Sequence, residues 1–564
     1  MSLRVAFAAV FVLSFACASS RWAATREADT AEAYRAFLRD YPNDENAETA
    51  RMLLSEKEFE AASAQHTVLA YKRFLEEFPD SPKASAARAL LEGLRFNAAQ
   101  ATNTAQAWRL FLSDHPDGAH RAEAERALAE AEFREAGSAS SVDALTRLLR
   151  EHPDDPRRAE IEARLDDQAF EAAEKSGAFA FYDYLRRFPA GAHREQAQAE
   201  LFGLHIRSLL VSGRVEEARA AVAQSPLAPK VHGLEQAIAD AAERQKVLAS
   251  TDPLVRAAQA GNYLRSIPDL IKSLSAPDPL DRWQAAEELG QYVTADVLDP
   301  LIDAFRSARN PLIRQHAFDS IRSVVAALPT DIAQYEIATR LEALRDRASS
   351  PETFVVVAAL EDAAGDLPAA AAEYQRSWDP NLPDPVILRR WVDIRRARNQ
   401  HYSAAVAARQ LALWAKGVAE ASQLPPAGQR IPVPDVRELC AASTYARFAL
   451  AAIRESQGRT KDFPEDLAQY ELQALDASRL ADARLKDAEL ALRTQNPNAH
   501  TCDDRRVEDR IAASVKERAN ALRALSRRGG PAAEVVLMRA REMDPSFEIR
   551  QIASAIPQAR VDPP

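Results

Sequence analysis

Glycine is scarce in this chain, 16 of 564 residues, about 3% where ~7% is usual. Phosphate-cradling loops and tight hairpin turns consume glycine, so nucleotide-binding α/β folds and β-sandwiches lose support at once. Long apolar runs are lacking too. Nothing beyond the first residues approaches the ~20 apolar residues a membrane-crossing helix needs. Positive charge is not in excess either. The formal net charge is −11, whereas nucleic-acid binding rests on a basic face that displaces counterions. The three cysteines include no C-x-x-C pair and have no histidine pair beside them, which argues against zinc. The patterns G-x-S-x-G, H-E-x-x-H, G-x-x-x-x-G-K-[ST] and G-x-G-x-x-G are missing as well, so no motif announces a nucleophile, a metal or a phosphate. The expectation is a protein without catalytic, cofactor-binding or metal-ligating residues, not an enzyme and not a nucleic-acid binder.

Helix formers fill the space: alanine, leucine, glutamate and arginine dominate, the side chains that lose least on entering a helix. At 564 residues the chain exceeds the ~250–300 residues at which one core stops growing, so several domains or a repeat array must follow. A repeat is visible. Pro42, Pro79, Pro116, Pro153 and Pro189 are spaced 37, 37, 37 and 36 residues apart. Eight, five and four residues before them stand Tyr34, Phe37 and Leu38, then Tyr71, Phe74 and Leu75, then Trp108, Phe111 and Leu112, with Leu145, Leu148 and Leu149 and finally Phe181, Tyr184 and Leu185. Offsets of three and four keep these on one helix face. Thr30, Thr67, Thr104, Ser141 and Gly177, twelve before each proline, are N-cap types and set the start of a first helix. The proline ends it. Asn43, Asp80, Asp117 and Asp154 then supply acceptors to cap a second helix. That helix carries Leu54, Leu91, Leu128, Leu165 and Leu201, then Phe59, Phe96, Phe133, Phe170 and Ile206. Ala50, Ala87, Ala124 and Ala197 let backbones approach. Such hairpins cannot hide both apolar faces alone and are stable only when stacked.

This Tyr-x-x-Phe-Leu-x-x-Tyr/Phe-Pro pattern, over Ala31 to Leu204, resembles the tetratricopeptide-type repeats of bacterial envelope proteins, such as outer-membrane assembly lipoproteins and the periplasmic coordinator of the Tol–Pal system. The resemblance implies an all-α solenoid of helix hairpins. A second repeat follows. Ile267–Leu274 precedes Asp278-Pro279, Arg282, Ala285, Ala286 and Leu289-Gly290, and Leu298–Ile302 precedes Asn310-Pro311, Arg314, Ala317 and Ile321. It resembles HEAT-type repeats, particularly the short bacterial kind of phycobilisome lyases. That resemblance implies that Asp-Pro starts the second helix and that Arg282 and Arg314 brace adjacent units. Asp544-Pro545 with Ile549-Arg550 and Ala553 is a weaker third copy. Between them, Gly365–Tyr374 and Asn399–Ala408 match at an offset of 34, the tetratricopeptide length. The expected organisation is a signal peptide at 1–18, a tetratricopeptide-like solenoid at 19–248, HEAT-like repeats at 249–330, further hairpins at 331–423, a proline-rich loop at 424–434, and a C-terminal helical region at 435–564. In that last region Asp435–Gln457, Pro464–Thr494 and Val507–Ser526 read as helices.

Met1–Arg4 and the apolar Val5–Phe15 suit a secretory leader. Ala16-Cys17-Ala18-Ser19 resembles a bacterial lipobox, although Ser14 stands where leucine is usual and Phe15 where a small residue is. The resemblance implies acylation of Cys17 and, with no aspartate at the sorting position, the outer membrane. The rival is an Ala-x-Ala cut after Ala18 that discards Cys17. An exported chain meets oxidising conditions, so Cys440 and Cys502 either form a disulfide or stand as two unrelated thiols. His120 and His193, both in Gly-Ala-His-Arg, read as local helix-start residues. His115 and His152 read as substitutes for an aromatic at the core edge. Acidic pairs such as Asp503-Asp504 and Glu508-Asp509, and the charges of Arg35, Lys72 and Arg109, read as solvated surface. The function expected is a scaffold in the periplasm that binds other envelope proteins and meets the membrane only through an N-terminal lipid. Two alternatives are a HEAT-type accessory, lyase-like, that binds a cofactor, and a binder of cell-wall glycan or a small ligand.

Overall fold

A computed structural model describes residues 20–139, 141–151, 153–154, 156–259, 264–345, 350–377, 384–422, 433–497, 502 and 506–556. Cys17, His152, Asp503, Asp504 and residues 424–432 of the loop expected at 424–434 lie outside the described residues, while Val433 and Pro434 already belong to a helix. The fold is an all-α solenoid of helix hairpins, with no strand among the described residues. Two compact units divide it, 1–169 and 170–564.

In the first unit the hairpins follow the register. First helices span Ala31–Asp40, Val68–Glu77, Ala105–Asp114 and Val142–Glu151. Thr30, Thr67 and Thr104 each accept the amide of the residue three on at 3.2 Å, which satisfies a helix-start donor. Second helices span Ala47–Gln65, Ala84–Thr102 and Arg121–Ala139. The expected capping by Asn43, Asp80 and Asp117 does not occur, because these helices begin five residues past the proline. Two consecutive turns come first: Asp44 donates its amide to Tyr41 (3.3 Å) and Ala47 donates to Asp44 (2.9 Å), and Ser81 and Ala84, then Gly118 and Arg121, repeat this. An arginine of the second helix then donates to the proline carbonyl, Arg51 to Pro42, Arg88 to Pro79, Arg121 to Pro116 and Arg158 to Pro153, at 2.7–3.1 Å.

The units of the first array are joined by a device the register concealed. The residue four past each proline lies against the phenylalanine of the preceding hairpin: Lys83 on Phe59 (6.0 Å), His120 on Phe96 (4.6 Å) and Arg157 on Phe133 (4.3 Å). Cations and imidazoles are both attracted to a ring face. Asp29, His66 and Asn103 take left-handed backbone, φ 45–47°, as these residue types tolerate. Each also bonds the polar tip of the next aromatic, Tyr34, Tyr71 or Trp108.

In the second unit the same pattern opens with Ala178–Arg187 and Arg194–Val211, with His193 stacked 4.6 Å from Phe170. Regularity then fades. Thr330–Arg345 packs back against these two helices, while His401–Ala421, Val433–Arg459 and Pro464–Gln495 form a three-helix group. Of the last helices, Arg506–Arg528 and Pro531–Met543 return to pack against Leu234–Leu248, Pro253–Ala257 and Pro279–Leu289, and Phe547–Ala555 packs on those two.

Candidate functional site

The HEAT-like stretch starts its second helices as the resemblance implied. Asp278 accepts the Leu280 amide at 2.8 Å, and Asn310 accepts that of Leu312 at 2.9 Å, ahead of Pro279–Leu289 and Pro311–Ala327. Gly290 lets the two come close, since a Cβ there would lie 2.5 Å from Ser320 Oγ and 3.0 Å from Ser320 Cα. Arg314 braces its neighbour: it donates to the Phe305 carbonyl at 3.0 Å and pairs with Asp384, the cap of Pro385–Ala397. Arg282 does not. Its Nε is buried without a hydrogen-bond partner among the described residues, and Arg437 approaches Asp278 instead, at 3.6 Å. The third copy departs as well. Its helix starts at Phe547 on the cap Ser546, while Asp544 is buried in an ion pair with Arg518 at 3.1 Å.

Behind the HEAT-like helices lies an ionic junction that composition did not announce. Glu288 is fully buried and is held by Arg265 at 3.3 Å and by Arg510 of the returning helix. Its neighbour Glu287 is pushed up to about 7 by burial, with Glu508 and Glu288 adding repulsion. Glu508, read as solvated surface, thus acts on a half-buried acid. The only signal was a Glu-Glu pair inside an alanine- and leucine-rich helix.

A cleft of about 620 Å³ lies among Ala178–Arg187, Thr330–Arg345 and Pro351–Ala363. Glu361 lines it with an Oε2 that has no hydrogen-bond partner among the described residues. Burial, then Glu373 and Asp366, push its carboxyl up to about 7. Arg186 and Arg345 pair with Glu342 at 3.4 and 3.1 Å, and the Tyr182 hydroxyl meets Thr339 at 3.0 Å. The arrangement can hold a basic or hydroxyl-bearing group.

The remaining sequence candidates are placed as follows. Cys440 and Cys502 are bonded to each other, with Cα atoms 5.6 Å apart across 62 residues, which ties the Val433–Arg459 helix to the segment before Arg506. His120 bonds Glu92 through its amide and Nδ1, at 2.9 and 3.0 Å. His193 Nδ1 meets Gln196 at 2.6 Å. The His115 ring lies 5.2 Å from Phe111. Arg35 links neighbouring hairpins through Glu77 at 3.0 Å, both half-exposed. Among the described residues no cluster of three His, Cys, Asp or Glu could hold a metal ion, and no helix is long and apolar enough to cross a membrane.

No curated protein is significantly similar to the chain. A protein family does match: residues 241–322 are similar to the family of HEAT repeats, a span that starts earlier than the Asp-Pro motifs suggested and takes in the end of Leu234–Leu248 and Pro253–Ala257. Helical repeats of this kind generally present surfaces for protein–protein contact, so the chain is an all-α repeat protein with HEAT-like units at 241–322.

Proposed function

We propose that this protein is a non-catalytic interaction scaffold of the bacterial cell envelope, which binds other envelope proteins during assembly or coordination and carries a lipid on Cys17. The observation that carries the scaffold reading is the succession of helix hairpins among the described residues, with HEAT similarity at 241–322. Stacked hairpins expose long lateral surfaces suited to peptides and partner helices. Export is supported by the apolar Val5–Phe15 and by the Cys440–Cys502 bond, a linkage that persists in oxidising compartments. Crosslinking in the producing cell followed by mass spectrometry tests the scaffold. Defined protein partners are expected, and recovery of none would overturn the reading. Metabolic labelling with a fatty acid tests the anchor: label should enter the wild type and vanish in Cys17→Ser. Label in neither would leave the Ala-x-Ala cut.

The Glu361 cleft favours a second reading, binding of a small envelope ligand or wall glycan. Retention on purified cell wall that is lost in Glu361→Ala would establish it.

A further inference from the structure

We propose that a groove between the helices Arg194–Val211 and Leu234–Leu248 and the returning helix Pro531–Met543 receives a segment of a partner protein in which an apolar side chain is flanked by carboxylates. The inference deepens the scaffold reading and rests on it. The groove measures about 440 Å³, within the range of sites that accept ligand-sized groups. Its floor is apolar, with Leu210, Val215 and Leu248. Two of the chain's four methionines, Met538 and Met543, stand on its edge, and Met538 is 39% exposed. Methionine adapts its shape to an incoming side chain and is over-used at binding surfaces for that reason.

The charge in the groove runs against that of the whole molecule. In a chain of net charge −11, three arginines line it against one carboxylate, Glu542. Arg207 is engaged with Asp331 at 2.5 Å. Arg244 and Arg539 form no ion pair or hydrogen bond among the described residues, unlike Arg214, Arg340 and Arg390 of the same unit. The two also repel each other: burial holds the Arg539 guanidinium below its usual range, Asp544 opposes that shift, and Arg244 adds to it. Guanidinium groups are weakly hydrated and suited to bidentate contact with carboxylate. A carboxylate entering between these two relieves their repulsion while the apolar neighbour fills the floor.

The test uses the full-length protein and a short, end-blocked fluorescent peptide with leucines on one helical face and glutamates on the other. The same peptide carrying lysine for glutamate is the control, and anisotropy is the readout. The glutamate peptide should bind and weaken as salt rises, and the lysine peptide should not bind. Arg244→Gln and Arg539→Gln should each weaken binding by about tenfold, the effect of one charge-assisted contact. The charge-swapped pair Arg244→Glu and Arg539→Glu should take up the lysine peptide instead, a gain that misfolding cannot imitate. Equal binding of both peptides, indifference to either arginine variant, or full displacement by a free fatty acid would overturn the proposal. Failure here while crosslinking still recovers partners would remove the groove and leave the scaffold. Absence of crosslinked partners would remove the scaffold.

Discussion

Residues 31–169 and 170–564 are both built of helix hairpins, but they hold themselves together by different means. In the first stretch every stabilising device is local or reaches one repeat away: the threonine caps, the double turn after proline, the arginine on the proline carbonyl, and the Lys83, His120 and Arg157 contacts on Phe59, Phe96 and Phe133. In the second stretch partners lie far apart in sequence. Glu288 is held by arginines 23 and 222 residues away, and a disulfide spans 62 residues. A repeat array stabilised by nearest neighbours tolerates change in length and loses stability unit by unit. A fold tied by distant pairs loses a whole region when one tie is cut.

The largest expected effects set these two behaviours side by side. Phe96 is buried between Trp108, Phe111 and His120, and Phe96→Ala should cost about 3–5 kcal/mol through the cavity it leaves. Hydrogen exchange should show the loss in its own hairpin and the next one, fading beyond. Loss of protection spread evenly through the chain would break the local account. Asp544→Ala should cost a similar ~3–5 kcal/mol, because it breaks a buried ion pair by removing the carboxylate that faces Arg518, 1% exposed. Here protection should vanish together across Arg506–Arg528, Pro531–Met543 and Phe547–Ala555. Exchanging both Cys440 and Cys502 for serine comes next, at about 2–4 kcal/mol from the freed loop, read as a lower denaturant midpoint. An unchanged midpoint would show that the cross-link contributes nothing to the region it joins.

The same contrast decides how much of the molecule is legible in its sequence. Starts at Ala31, Val68, Ala105 and Val142 follow from Thr30, Thr67, Thr104 and Ser141, and the helices expected at Asp435–Gln457, Pro464–Thr494 and Val507–Ser526 fall within two residues of Val433–Arg459, Pro464–Gln495 and Arg506–Arg528. Local propensity and period are enough for these. The contact four past each proline was hidden because lysine, histidine and arginine alternate there: the position repeats while the residue does not. The Cys440–Cys502 approach, the return of Arg506–Arg528 and the Arg244–Arg539 groove depend on which distant helices meet, and no spacing encodes that.

A smaller effect sharpens the comparison through pH. Glu287 has a carboxyl pushed from about 4.5 up to about 7 by burial beside Glu508 and Glu288, with Arg510 opposing. A raised acid favours the protonated fold, so its contribution is complete below about pH 4.5 and is lost as pH rises through about 7. His316, lowered to about 4 by burial, works the other way and loses stability as pH falls below about 6.5. Glu287→Gln isolates the first. The amides of Arg506–Arg528 should exchange faster on going from about pH 5 to about pH 8 in the wild type, after correction for intrinsic rates, and the variant should flatten that difference. Amides of Ala84–Thr102 should respond equally in both proteins.

The smallest effect tests whether the repeats of the first array are as independent as their geometry suggests. Thr67 and Thr104 make the same 3.2 Å cap in neighbouring units. Replacing either by alanine should cost ~1 kcal/mol, and the two losses should add to within about 0.5 kcal/mol, since the caps share no partner. A double variant that falls well outside the sum would mean that the start of one hairpin senses the start of the next. The Lys83, His120 and Arg157 contacts would then be coupling elements rather than separate fasteners, and the first array would share the long-range cooperativity that distinguishes residues 170–564.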